Sequence, residues 1–205
     1  MGRTFNLLIV AAAVMVAAVG CSIFEPDDPE TPSEQGFVWQ QPYQYITVLS
    51  NLDNAMENLS AEYYMLCYDT SFVFVADEQD TAQYTWEFGN WDYIQEQNAI
   101  NLIIGEAIAD SSVVSVAFTE PSDPDLQDPS AYEDSIWIYR DYIMSFENSP
   151  HTPAQGRAYI HLGKPSGTSG LWSICEWRDN RLPDHDPDED NTWGVFKGFY
   201  LFSSP

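Results

Sequence analysis

Basic residues are scarce in this chain: seven Lys and Arg stand against thirty-two Asp and Glu, for a net charge of −25. A surface of that sign repels phosphate backbones and anionic lipid head groups, which excludes nucleic-acid binding and polybasic membrane docking. Its ordinary meaning is a solvated, soluble surface. Histidine is rarer still, and His151, His161 and His185 share no ligand spacing and have no neighbouring cysteine, so no zinc site is expected and nothing calls for a cofactor. There is no nucleophile-elbow pattern to support a serine hydrolase. No charged residue interrupts the chain between Arg3 and Glu25. Aromatic residues, by contrast, are abundant at 15%, which argues against disorder over most of the length and for one domain with a proper core.

The early gap in charge coincides with an unbroken apolar run from Leu7 to Val19, preceded by Arg3. That is the length of a signal-peptide core and is short for a bilayer span. The run ends in Ala18-Val19-Gly20-Cys21, which resembles a bacterial lipobox. The resemblance implies that residues 1–20 are removed and that Cys21 is acylated, each chain adding about 0.8 kcal/mol of membrane affinity per buried methylene. Ser22 after the cysteine, by analogy with Gram-negative sorting, implies an outer-membrane address facing the periplasm. Residues 21–36 then mix Pro26, Pro29 and Pro32 with Asp27, Asp28, Glu30 and Glu34, a composition that reads as an acidic tether.

Residues 37–205 read as a single α+β domain. Within Gln44 to Leu59 the apolar residues Tyr45, Val48, Leu49, Leu52, Ala55, Met56 and Leu59 recur every three or four positions, which predicts a helix buried along one stripe. A short helix over Ala61 to Cys67 follows, then a turn at Asp69-Thr70-Ser71, a strand at Phe72 to Val75 and a polar loop at Glu78 to Ala82. A third helix runs from Asn90 to Gly105, with Ala107 to Asp110 as an extension after a kink. Val113–Phe118, Ser135–Phe146, Gly156–Leu162 and Gly170–Arg178 are β-branched and aromatic runs bounded by turn residues, and predict strands. Trp193 to Tyr200 predicts a final edge strand. Three N-terminal helices ahead of long strands imply helices packed on one face of a curved, mainly antiparallel sheet.

The order of elements from about Gln40 to Arg178 resembles the nuclear transport factor 2-like superfamily, which includes ketosteroid isomerase-like and polyketide cyclase-like proteins. The residues that carry the likeness are Asn51, Leu52 and Ala55, then Tyr64 and Leu66, Phe72-Val73-Phe74, and Trp172-Ser173-Ile174. The tail around Trp177, Asp179 and Trp193-Gly194-Val195-Phe196-Lys197 is similar to uncharacterised bacterial lipoproteins with this kind of domain. The resemblance implies a cone-like, cystatin-like roll with a pocket, in which isomerase-type members use a Tyr and one or two Asp residues. No position here matches a family catalytic motif, and the fold does not itself carry function.

Several residues are candidates for a site. Tyr139 and Asp141 share one face of a predicted strand, and Tyr159 and His161 share a face of the next, so the four can line the pocket. Asp141 in such a pocket can serve as a general base; otherwise it is a solvated residue or a partner of Arg140 or Arg157. Asp184, Asp186, Asp188 and Asp190 alternate in a way that offers hard oxygen ligands to calcium, although the loop lacks the glycine and glutamate of an EF-hand, and an acidic hairpin loop is the plainer reading. Asp123, Asp125 and Asp128 are a weaker form of the same signal. Cys67 and Cys175 either pair, as in an exported protein, or remain buried free thiols. Trp91, Trp137, Trp172 and Trp177 are expected in the core, and Trp39 and Trp193 nearer the surface. The functional expectation is a lipid-anchored binding domain for a small apolar ligand or an envelope protein, with an isomerase- or cyclase-type enzyme and a calcium-dependent envelope module as alternatives. A dimer is left open.

Overall fold

The computed structural model describes residues 38–84, 88–149, 151–167, 169–183 and 191–202, all within the compact unit Phe37–Pro205. The leader, Cys21, the tether and the acidic run Asp184, Asp186, Asp188 and Asp190 lie outside the described residues.

Helix α1 (Tyr45–Glu57) buries Val48, Leu49, Leu52, Ala55 and Met56, the stripe that the three-and-four spacing predicts. Asn51 is buried on the same helix because it pins the entering chain, accepting from the Gln40 N–H at 3.1 Å and donating to the Gln40 carbonyl at 2.7 Å. Helix α2 (Ala61–Met65) starts at Ser60, whose hydroxyl accepts from the Tyr63 N–H, an N-cap of the usual kind. Strand β1 (Tyr68–Val75) begins earlier than expected: Asp69, Thr70 and Ser71 are not a turn between elements but an irregular stretch of the strand, where its register with the neighbour shifts between Tyr68 and Val73.

Two further differences concern helices. Glu78 to Ala82 is not loop but part of α3 (Glu78–Gln83), capped by the Asp77 side chain, with Asp80 buried. The third expected helix, α4 (Tyr93–Ala109), does not stop at Gly105 but takes in the expected extension as far as Ala109. Its start is fixed by a capping box in which Asp92 accepts from the Gln95 N–H and the Gln95 side chain accepts from the Asp92 N–H. It runs on past Gly105 because Ile103, Ile104 and Ala107 continue the buried stripe, and that packing outweighs the intrinsic cost of one glycine.

The remaining strands are β2 (Val114–Thr119), β3 (Ser135–Phe146), β4 (Ala154–Gly163) and β5 (Ser173–Asn180). The sheet order is β1-β5-β4-β3-β2, antiparallel throughout except that β1 lies parallel to β5. Along β3 the burial alternates strictly: Ile136, Ile138, Arg140, Tyr142, Met144 and Phe146 face the helices, while Trp137, Tyr139, Asp141 and Ile143 face outward. This is the α+β arrangement of helices on one face of a curved, mainly antiparallel sheet.

The last element overturns an expectation. Trp193 to Tyr200 is not an edge strand but the first part of helix α5 (Trp193–Phe202), in which Trp193, Val195, Phe196 and Lys197 are all buried. The β-prone aromatics suggest strand, yet Trp193, Phe196, Lys197 and Tyr200 fall at helical spacing, and Thr192 caps the start by accepting from the Val195 N–H at 3.1 Å. Burial of Trp193 and Phe196 alone contributes about 1.5–3 kcal/mol each. Among the described residues no helix is long and apolar enough to cross a membrane.

Candidate functional site

The four residues expected to line a pocket do not. Tyr139, Asp141, Tyr159 and His161 all stand on the outer face of the sheet, half-buried among one another. Tyr139 stacks on Tyr159 with ring centres 4.3 Å apart, Trp137 stacks on His161 at 4.7 Å, and the Arg178 guanidinium lies over the Trp137 ring at 5.1 Å. Asp141 is held by Arg157 through Nε at 2.5 Å and Nη2 at 3.0 Å, so it is the arginine partner and not a pocket base. Trp137, expected in the core, belongs to this outer ladder. The rings stand face to face across the strands, as cross-strand pairs that stabilise a sheet do.

The inward face carries the polar chemistry instead. Asp179 on β5 and Tyr142 on β3 are both fully enclosed, and the Tyr142 hydroxyl donates to Asp179 Oδ1 at 2.6 Å. Burial pushes the Asp179 carboxyl up to about 7, against the opposing pull of the Tyr142 and Gly194 hydrogen bonds and of Lys197. On the other side of the interior, Glu96 of α4 accepts from the Tyr64 hydroxyl at 2.6 Å, from Trp91 Nε1 at 2.7 Å and from Lys197 Nζ at 2.6 Å. Tyr68 donates to the Tyr64 oxygen at 2.7 Å and extends the chain of hydroxyls. Burial holds the tyrosines Tyr64, Tyr68 and Tyr142 well above the ordinary phenol range, so all three stay donors.

Both halves of this network reach α5, through Lys197 on one side and the Trp193 and Gly194 N–H groups on the other. The Trp193 N–H donates to the Tyr142 oxygen and the Gly194 N–H to Asp179 Oδ2, both at 2.8 Å, so the two groups cap the helix N-terminus, where a negative charge is favoured. Asp80 accepts from Thr192 Oγ1 at 2.6 Å and from Arg181 Nε at 2.8 Å. The Lys197 ammonium lies 3.4 Å from the centre of the Phe74 ring and 4.8 Å from that of Trp91. Desolvation lowers the Lys197 pKa, and Glu96 opposes that. A Tyr–Asp pair of the kind used in proton abstraction is therefore present, but the faces it would offer a substrate are taken by Trp193 and Gly194. Trp193, expected nearer the surface, is wholly inside.

A cavity opens elsewhere, as a groove of about 540 Å³ between the entering chain, the start of β1 and the turn before β5. Its walls include Trp39, Pro42, Leu66, Tyr68, Leu171 and Trp172. The Trp172 N–H donates to the Pro42 carbonyl at 2.9 Å, which ties the two walls together. Ser173 lines the groove, and its hydroxyl is buried with no hydrogen-bond partner among the described residues. Asp69 also lines it, with Oδ1 accepting from the Ser71 N–H at 2.9 Å and from the Ser71 hydroxyl. Cys67 and Cys175 are free thiols, so the pairing considered from the sequence is not formed here. Of the weaker acidic set, Asp128 is bound to Arg140 and Tyr45, while Asp123 accepts from the Asp125 N–H. Among the described residues no three His, Cys, Asp or Glu side chains are placed to hold a metal.

Comparison with known proteins places the chain by fold. No family model matches the sequence, and no curated protein matches it. A chain of naphthalene 1,2-dioxygenase with indole bound in the active site superimposes with a TM-score of 0.51 at 7% identity, over 76% of this chain and 85% of that one. A nuclear transport factor 2-like protein of unknown function from Pseudomonas putida gives 0.47 at 9% identity, over 73% and 92%. Bd1075 of Bdellovibrio bacteriovorus gives 0.45 at 12% identity, over 67% of this chain but only 39% of its own length. The naphthalene dioxygenase chain shares with this one the α+β arrangement of helices on a sheet.

Proposed function

We propose that this protein is exported, is held to a membrane through acyl chains on Cys21, and uses its cone domain to bind a small apolar or amphipathic molecule without transforming it. The observation that carries the non-catalytic part is the occupation of the interior: Lys197, Trp193 and Gly194 engage Glu96, Tyr142 and Asp179, the polar groups a substrate would need. The anchoring part is supported by the apolar run ending in Cys21. Expression of the full chain with Cys21→Ala tests it: the variant should leave the membrane fraction, and retention there would sink the anchor. An isomerase- or cyclase-type enzyme is the second reading, favoured by the Asp179–Tyr142 hydrogen bond alone. It requires α5 to leave the interior, so detectable turnover of a ketone or enol substrate by the intact chain, lost in Asp179→Asn, would put it first.

A further inference from the structure

We infer that the groove between Pro42, Leu66 and Trp172 is a binding site for a small organic ammonium ion with an aromatic or branched apolar body, an inference that rests on the binding-domain reading above. The volume, about 540 Å³, is that of a site for such a molecule. Trp39, Pro42, Leu171 and Trp172 give it apolar walls, and Leu66 is a large aliphatic side chain left 53% exposed at the rim.

One polar group sets the ligand's chemistry. Asp69 has one carboxylate oxygen engaged by Ser71, while Oδ2 accepts no hydrogen bond among the described residues. Among the described residues no Lys, Arg or His lines the groove, and the nearby Lys164 ammonium is bound to Asp134 at 3.0 Å above the Trp172 ring. That contact is an ammonium on an aromatic face, as the proposed ligand would be. With a net charge of −25 around it, the site draws cations and repels carboxylates.

Three probes of one shape separate the terms: phenethylammonium, 2-phenylethanol and phenylacetate, titrated into the full chain and followed by tryptophan fluorescence and calorimetry. Phenethylammonium should bind about tenfold more tightly than the alcohol, a difference of the size expected when a charged hydrogen bond replaces a neutral one. Phenylacetate should not bind at millimolar concentration. Asp69→Asn should bring the ammonium down to the affinity of the alcohol, with thermal melts confirming that the variant folds. Binding of phenylacetate as tight as that of the ammonium, or an Asp69→Asn variant with unchanged preference, would overturn the ligand class. Failure of all three probes to bind would overturn the site. Conversion of the bound ammonium to a product would overturn only the non-catalytic reading, and with the Asp69→Asn loss intact it would count for the site.

Discussion

Lys197 and Glu96, 101 residues apart in the chain, meet at 2.6 Å with neither side chain more than 1% exposed. A buried pair of this kind adds little net stability, but removing one member strands a charge. Lys197→Met should therefore cost about 3–5 kcal/mol in urea denaturation, and adding Glu96→Gln to it should recover a large part of the loss. A single variant that loses under about 1 kcal/mol would mean that the pair is not buried as described.

Asp179 makes stability depend on pH in an unusual direction. Its folded carboxyl titrates at about 7 because of burial, well above the 3.8 of an ordinary Asp, so the folded protein holds a proton that the unfolded chain has released. Its contribution is complete below about pH 4 and is lost as the pH rises to 7, by an amount on the order of 4 kcal/mol at most. Asp53, raised to about 6 by burial and by Glu57, acts in the same direction between pH 4 and 6. Subtracting the pH profile of Asp179→Asn from that of the wild type should leave a difference that falls with pH across this window. A flat difference would show that Asp179 is ionised throughout.

Gly156 sits on β4 where a Cβ atom would come within 2.5 Å of the Tyr142 hydroxyl and 2.7 Å of the Asn180 carbonyl. Gly156→Ala must displace Tyr142 or part the two strands, and Tyr142 is the donor to Asp179. A loss of about 1–3 kcal/mol is expected from the overpacking, with the further loss of the Tyr142–Asp179 hydrogen bond on top. Chemical denaturation measures it, and a neutral substitution would count against the close approach.

The outer ladder should behave differently. Asp141→Asn releases Arg157, yet both side chains are about a quarter exposed, so the cost should stay under about 1 kcal/mol. Binding in the groove should be unaffected, because Asp141 does not line it. A variant that abolishes binding while remaining folded would return Asp141 to a functional role.

What the sequence made legible was periodicity. The α1 stripe and the whole of β3, Ser135–Phe146, stand where three-and-four and two-residue spacing place them. Which face of β3 points inward was not legible, because both faces carry aromatics, Trp137 and Tyr139 on one and Tyr142 and Phe146 on the other. The charges misled too: Arg140 is buried against Asp128, while Asp141 faces outward. Choosing the wrong face sent Tyr139 and Asp141 into the pocket in place of Tyr142. Glu96 and Asp179 were not legible as site residues, because Tyr64, Lys197 and Tyr142 reach them from elements far away in sequence, a relation that local spacing does not encode. The helical spacing of Trp193, Phe196, Lys197 and Tyr200 was a usable signal that β propensity obscured.

The parallel pairing of β1 with β5 has a kinetic consequence. Tyr68 must wait for Ile174 before β1 has a neighbouring strand, and the interior is closed only when Lys197 arrives. Such distant closures make folding slow, since loop entropy is lost before any contact is gained. A chain emerging from synthesis, or stopped short of residue 173, has no neighbouring strand for β1 and no seal for its core. The fold is completed by β5 and α5.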